Sequence, residues 1–106
     1  MRTAPAHRWL RSAAGIDHRG NQGAYAPDEI AIRFHHRLVA IHPFPNGNGR
    51  HSRLIADLLV MSLGERRFSW GSTQVRQAAD VRRRYIEALH AADQHDIHPL
   101  LAFARS

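Results

Sequence analysis

Residues 42–50 read HPFPNGNGR, and this stretch separates two apolar segments that have helical spacing. Pro43 and Pro45 end the preceding helix, because proline lacks an amide proton and its ring clashes with the turn before it. Residues 45–49 are rich in types that tolerate positive φ, so they suit a loop better than the interior of a helix or strand. The sequence therefore predicts two helices joined by a glycine-rich loop.

The segment upstream of this loop carries a helix start signal and an apolar stripe. Pro27 suits the first helical turn, and the acidic residues Asp28 and Glu29 are favourable at the positive end of the helix dipole. Four apolar residues then recur at helical spacing, and we expect them to face the core: Ile30, Phe34, Leu38 and Ile41.

Downstream of the loop, three more helices are predicted. The second helix of the chain starts near Arg50 and runs to about Leu63, with Gly64 as its stop. Its apolar residues leave little polar face, so we expect it to be central and buried: Leu54, Ile55, Leu58, Leu59 and Met61.

A third helix is predicted over residues 72–92 and a short final helix over residues 97–104, after a connector at residues 66–71. The inward positions expected on the third helix are Val75, Ala79, Ile86 and Leu89. A short helix near Trp9 and Leu10 precedes these elements. The expected fold class is all-α, with four or five helices.

Composition restricts the function classes. The 106 residues suffice for one domain, and the absence of cysteine excludes thiolate catalysis and disulfides. No apolar run approaches the ~18 residues of a membrane span, and the N-terminus lacks the apolar stretch of a secretory signal, so we expect a cytoplasmic protein without a membrane partner. All 15 basic residues are arginine, which suits a phosphate-bearing ligand but also fits codon bias.

The loop has the components of an anion site. A glycine-rich loop that opens into a helix presents backbone N–H groups and the positive dipole end, and Gly47 and Gly49 let the main chain approach phosphate oxygens. Arg50 and Arg53 lie three residues apart, so both can reach the same anion. His42, on the other side of the loop, is a natural general base. The combination predicts attack on a phosphoryl group.

Residues 42–53 resemble the signature of the Fic family, His-Pro-Phe-x-Asp/Glu-Gly-Asn-Gly-Arg-x-x-Arg, at every fixed position except Asn46. Residues 26–106 also resemble the Fic-domain proteins called mobile mystery protein B, which share RFHHRLV at residues 33–39 and LLAFAR at residues 100–105. The resemblance implies an all-α, Fic-like helical core over residues 26–106, with the loop between two central helices. Residues 1–25 would be a variable or truncated N-terminal segment.

The resemblance also implies an activity, the transfer of AMP from ATP to a Ser, Thr or Tyr hydroxyl of a target protein. His42 would deprotonate the hydroxyl, and Phe44 would anchor the loop in the core. The remaining motif residues would bind the nucleotide phosphates: Asn46, Gly47, Asn48, Gly49, Arg50 and Arg53. Asn46 stands where the family has an acidic Mg²⁺ ligand, and its neutral amide predicts weaker binding of the metal. A small helix-turn-helix protein, as partner or antitoxin, is implied by the likeness to mobile mystery protein B.

Several alternatives remain open at this point. Asn46 and the short N-terminus also fit an inactive or weakened nucleotide-binding remnant that acts through protein interaction, and a phosphotransferase on the same fold is another alternative. Arg53 has a second possible role, an ion pair with Asp57. A nucleic-acid-binding role for residues 82–84 is disfavoured against a solvated helix face.

Histidines near the loop, and aromatic residues after it, are assigned structural roles. His35, His36 and His51 lack a recognisable metal-ligand spacing, so we interpret them as satisfied side chains, which are hydrogen-bonded within the protein, or as solvated ones. The aromatic residues are expected in the core rather than around an adenine: Phe68, Trp70 and Tyr85.

Overall fold

The computed structural model describes residues 25–42, 45–73 and 77–106. Within these ranges the secondary structure consists of four helices, without a strand: α1 (Pro27–Ile41), α2 (Asn48–Ser62), α3 (Ala78–Asp93) and α4 (His98–Ala104). The predicted all-α class is confirmed. The helix predicted near Trp9 lies outside the described residues, as do Phe44 and Val75.

The chain divides into two compact units, with the boundary between Arg67 and Phe68. The first unit contains α1 packed against α2, and the second contains α3 packed against α4. None of the helices in the described ranges is long and apolar enough to cross a membrane.

Helix α1 begins and ends where the sequence predicts. Pro27 occupies the first turn, and the chain leaves the helix at His42, whose N–H donates to the Leu38 carbonyl at 3.2 Å. The predicted stripe is only partly correct, because Ile30 is buried whereas Ile41 is 63% exposed. The face that is buried also includes Ala31, Ile32 and His35. The buried face is therefore turned about the helix axis by about 100°, the angle between successive residues, from the predicted stripe.

Helix α2 begins two residues earlier than predicted. Asn48 and Gly49 are helical, which corrects the interpretation of residues 45–49 as loop throughout. The first helical positions tolerate these types, because their N–H groups have no intrahelical partner to lose. The predicted stop is confirmed, since Gly64 follows the helix with φ 94°.

The prediction that α2 is buried on nearly all sides is wrong. Leu54, Leu58 and Met61 are 56%, 39% and 43% exposed and form a stripe along one side. The buried side is opposite and combines small and apolar residues: Ser52, Ala56, Leu59 and Val60. The helix therefore has one buried and one exposed side, although apolar residues lie on both.

The second unit begins with a connector that pairs with the C-terminus. Ser69 and Trp70 both donate their N–H to the Ala104 carbonyl, at 2.8 and 2.9 Å. Gly71 has φ 82°, and a Cβ there would lie 2.9 Å from the Phe103 ring, so the turn requires glycine. Phe68 is buried as predicted, whereas Trp70 is half-buried.

Helix α3 starts at Ala78, six residues later than predicted, because residues 70–73 form a turn. Leu89 is buried as predicted, but Ala79 is exposed and Ile86 is 36% exposed. The buried face follows a different set of positions, which includes the predicted core residue Tyr85: Tyr85, Ala88, Leu89 and Ala92. The final helix agrees with its predicted range to within one residue.

Candidate functional site

The candidate site lies in the first unit, at the turn between α1 and α2. Helix α1 ends at Ile41, and α2 begins at Asn48. Both ends of the turn are left-handed: His42 has φ 48° and ψ 61°, and Gly47 has φ 67° and ψ 36°. For the histidine this backbone conformation is uncommon, and such outliers are concentrated at functional sites.

His42 is exposed, and one hydrogen bond orients its ring. Nδ1 lies 3.3 Å from the carbonyl oxygen of Ala40. A carbonyl only accepts, so Nδ1 carries the proton in this contact and the neutral ring leaves Nε2 as a bare acceptor. An exposed imidazole with a bare Nε2 can take a proton from a hydroxyl group.

The other end of the turn presents the N-terminus of α2. The first backbone bond of the helix runs from the His51 N–H to the Gly47 carbonyl at 2.9 Å, so the amides of Gly49 and Arg50 precede it. No residue of the first turn is acidic. The N-terminus therefore keeps its positive dipole end available for an anion.

The predicted arginines lie on the first two turns of α2. Arg50 is exposed and Arg53 is half-buried. Their spacing places them on one side of the helix, above the N-terminus. Asn46 and Gly47 are exposed in the turn, whereas Asn48 and Gly49 are half-buried. The individual roles of these residues, including the pairing of Arg53 with Asp57, stay predictions.

Two histidines that were assigned no functional role lie at this site. A Cβ built on Gly47 would lie 3.5 Å from Cδ2 and 3.6 Å from Nε2 of His51, so that ring covers the glycine. His35 is fully buried in α1, and its ring hydrogen-bonds to the backbone of Ser52 in α2. Burial is the main cause that lowers the pKa of His35 to about 4, and Arg53 and His36 act in the same direction.

A sequence signal for His35 existed, although a weak one. It follows Ala31 and Ile32 by four and three residues, so it shares their helix face, and both of these residues are fully buried. It also precedes His42 by seven residues, or two helical turns. The ring is buried rather than solvated, and its Nδ1 makes no hydrogen bond within the described residues, so the interpretation of His35 as satisfied or solvated holds only for the nitrogen that bonds to Ser52.

The donor set in the turn does not fit Mg²⁺. Mg²⁺ favours carboxylate oxygens, and the turn offers only the neutral amide of Asn46. Within the part of the chain that the structure describes, no group of three or more His, Asp or Glu side chains has the geometry to hold a metal ion. The groups that the turn offers to an anion are therefore arginine side chains and backbone amides.

Comparisons with known proteins identify the family of the chain. The model of the Fic/DOC family matches residues 4–60, more than half of the chain. The chain belongs to the Fic/DOC family, as the motif predicts.

Curated relatives are protein adenylyltransferases. The chain is 30% identical over 102 residues to protein adenylyltransferase fic-1 of Caenorhabditis briggsae, a match that covers 94% of this chain and 19% of the relative. It is 36% identical over 97 residues to protein adenylyltransferase Fic of Drosophila persimilis, covering 91% of this chain and 16% of the relative. The chain thus spans less than a fifth of the length of these relatives.

A solved structure has the same fold. Fic-1 (aa134 - 508) from C. elegans superposes with a TM-score of 0.64 at 25% sequence identity, over 95% of this chain and 28% of that chain. The likeness supports the all-helical, Fic-like fold that the sequence predicts.

Proposed function

We propose that this chain is the nucleotide-transfer core of a Fic-type protein adenylyltransferase, which transfers AMP from ATP to a Ser, Thr or Tyr hydroxyl of a protein. The proposal is supported by the family, by the names of the relatives and by the turn between α1 and α2. The observation that carries it is the contact of His42 Nδ1 with the Ala40 carbonyl. With Nδ1 as the donor in this contact, Nε2 would be the base that the reaction needs.

The proposed step is a displacement at the α-phosphorus of ATP. His42 Nε2 takes the proton of the target hydroxyl while the hydroxyl oxygen forms a bond to the α-phosphorus. The bond from the α-phosphorus to the bridging oxygen breaks, and pyrophosphate leaves with the bonding electrons. AMP remains on the protein as a phosphodiester.

The anion-binding side of the turn would stabilise the charge on the phosphates. The backbone amides of Gly49 and Arg50, together with the dipole of α2, would face the developing negative charge, and residues 46–48 would line the approach. The guanidiniums of Arg50 and Arg53 would bind the β- and γ-phosphates. Phe44 would anchor the turn, as the motif implies. No step of this mechanism is assigned to a metal ion, because the turn lacks a carboxylate.

Label transfer tests the proposal directly. The protein is incubated with ATP labelled at the α-phosphate and with a cell lysate, beside His42→Ala and a matched control, His36→Ala, which changes a neighbouring histidine outside the turn. We expect labelled protein bands with the wild type and the control, and none with His42→Ala. Equal labelling by His42→Ala would show that this imidazole is not the base.

A second candidate function is supported by Asn46. A turn without a carboxylate can bind the nucleotide and yet lack the metal that assists transfer, which would make the chain a nucleotide-binding module that acts through protein interaction. In that case ATP raises the melting temperature of the protein, whereas no label is transferred. Labelling that depends on His42 excludes this alternative.

The biological setting is a proposal that rests on the likeness to mobile mystery protein B. It comprises a bacterial, cytoplasmic protein, the toxin side of a toxin–antitoxin pair, with a small helix-turn-helix protein as its partner. Copurification of such a partner from a strain that encodes both chains would support this setting. A chain that elutes alone from that strain would contradict it.

A further inference from the structure

His35 is the one fully buried histidine of the described residues, and the proposed mechanism leaves it without a role. It lies on α1 and faces Ser52 of α2, which is also fully buried. A polar ring is costly to bury unless it is hydrogen-bonded. Its Nδ1 makes no hydrogen bond within the described residues, so the bond to the Ser52 backbone is made by Nε2 and indicates the role of the ring.

The partner is a backbone carbonyl at the nucleotide site. The hydrogen bond between the His35 ring and the Ser52 backbone raises the pKa of the histidine, so it favours a ring N–H over a bare nitrogen. A backbone group that accepts from N–H is a carbonyl, so His35 donates to the Ser52 carbonyl oxygen. The Ser52 carbonyl and the Arg53 amide belong to one planar peptide unit. The helix itself fixes the orientation of that unit, so a bond from α1 to this carbonyl fixes where the second turn of α2, and with it the start of the Arg53 side chain, lies relative to α1.

The charge of the ring also matters, because Arg53 interacts electrostatically with His35 and disfavours its protonated form. A neutral imidazole can bond to the carbonyl without placing a second positive charge beside the guanidinium. Lysine or arginine at this position would donate equally well, but each would repel Arg53 and require burial of a charge.

The side chain of Ser52 has a different role from its backbone. Its hydroxyl is buried and makes no hydrogen bond within the described ranges. The small size of serine lets α1 approach the backbone of α2, while the interaction with His35 belongs to the carbonyl. Removal of the hydroxyl therefore leaves the bond in place, which supplies a matched control.

We propose that His35 is a positioning residue for Arg53, because its hydrogen bond to the Ser52 carbonyl holds the guanidinium towards the terminal phosphates of a bound nucleoside triphosphate. The inference rests on the proposed function, since it assumes that the turn binds ATP. It adds to that function a residue on α1 that acts through α2.

The test compares the affinities for ATP and AMP, which differ in the terminal phosphates. Isothermal titrations use the wild type, His35→Phe, His35→Gln and Ser52→Ala. We expect His35→Phe to weaken ATP binding about tenfold, the value of one charge-assisted hydrogen bond, and to leave AMP binding unchanged. Glutamine can donate to the same carbonyl and should restore most of the ATP affinity, and Ser52→Ala should behave as the wild type.

A double-mutant cycle with Arg53→Ala separates positioning from a general structural role. If His35 acts through Arg53, His35→Phe has no further effect on ATP affinity once the guanidinium is absent. Equal losses for ATP and AMP, or effects of the two substitutions that add, would overturn the inference. Should His35→Phe fail to fold by circular dichroism, His35→Met takes its place in the cycle.

Failure of the inference and failure of the proposed function give different results. A wild-type protein that does not bind ATP contradicts the proposed function, and the inference falls with it. A wild type that binds ATP as tightly as folded His35→Phe contradicts the inference alone.

Discussion

Acidification should destabilise this protein through His35 in particular. The pKa of His35 is lowered from 6.5 to about 4, mainly by burial, with smaller contributions from Arg53 and His36 that are opposed by the bond to Ser52. Between pH 6.5 and about pH 4, His35 therefore binds a proton in the unfolded chain but not in the folded chain. By linkage, the free energy of unfolding decreases as the pH falls through this window, and above pH 6.5 the histidine contributes almost nothing. The two pKa values give a loss of roughly 2 kcal/mol between pH 7 and pH 5, and about 3 kcal/mol when both states are protonated.

Urea unfolding followed by circular dichroism at pH 7, 6 and 5 measures this loss, with His35→Gln as the reference. Glutamine keeps a donor for the Ser52 carbonyl but does not titrate, so the contributions of all other groups cancel in the difference between the two proteins. The wild type should lose roughly 2 kcal/mol relative to His35→Gln by pH 5. Parallel pH curves for the wild type and His35→Gln would refute the burial argument.

Three further predictions concern single positions. Asn46→Asp should raise the affinity for ATP about tenfold in Mg²⁺, because a carboxylate is a better ligand for the ion. In EDTA the same substitution should lower the affinity, because the new charge repels the phosphates. ATP affinities that change in the same direction in both buffers would contradict this prediction. Gly71→Ala should lower the free energy of unfolding, measured in urea, by about 2–4 kcal/mol, because it adds a clash with Phe103 to the strain of φ 82°. The control Gly64→Ala, with φ 94° and open space around it, should lower this free energy by only about 1 kcal/mol. Arg83→Ala should change the free energy of unfolding by less than about 1 kcal/mol, since its ion pairs are exposed, and a larger loss would indicate a buried role for the guanidinium.

The sequence determines the position of the turn because its signals are local. Pro27 marks the start of α1, and the prolines and glycines of residues 43–49 exclude a continuous helix. The chemistry of the loop is equally local, since the order of His42, the glycines and Arg50 is itself the family signature. These features need no knowledge of what packs against them.

The faces of the helices could not be predicted, because burial depends on the partner helix. Helix α2 has apolar residues on both sides, so its pattern does not say that Ala56 and Leu59 are buried while Leu54 and Leu58 are exposed. A hydrophobic pattern also ignores a polar residue in the core. The sequence signal for His35 is weak for this reason, because its ring bonds to the backbone of another helix.

The replacement of a carboxylate by Asn46 and the neutrality of His35 have one electrostatic consequence in common. A triphosphate must be balanced by positive charge, and the first turns of α2 supply two guanidiniums and a helix dipole equivalent to about half a charge. A carboxylate in the turn would cancel part of this charge and restore it only when it binds a metal ion. Asparagine leaves the positive charge intact, and in the positioning role proposed above the neutral His35 ring would hold the Arg53 guanidinium without adding a charge that repels it. We therefore expect the turn to bind a polyanion through its own residues, and the proposed transfer adds to that binding only the base His42.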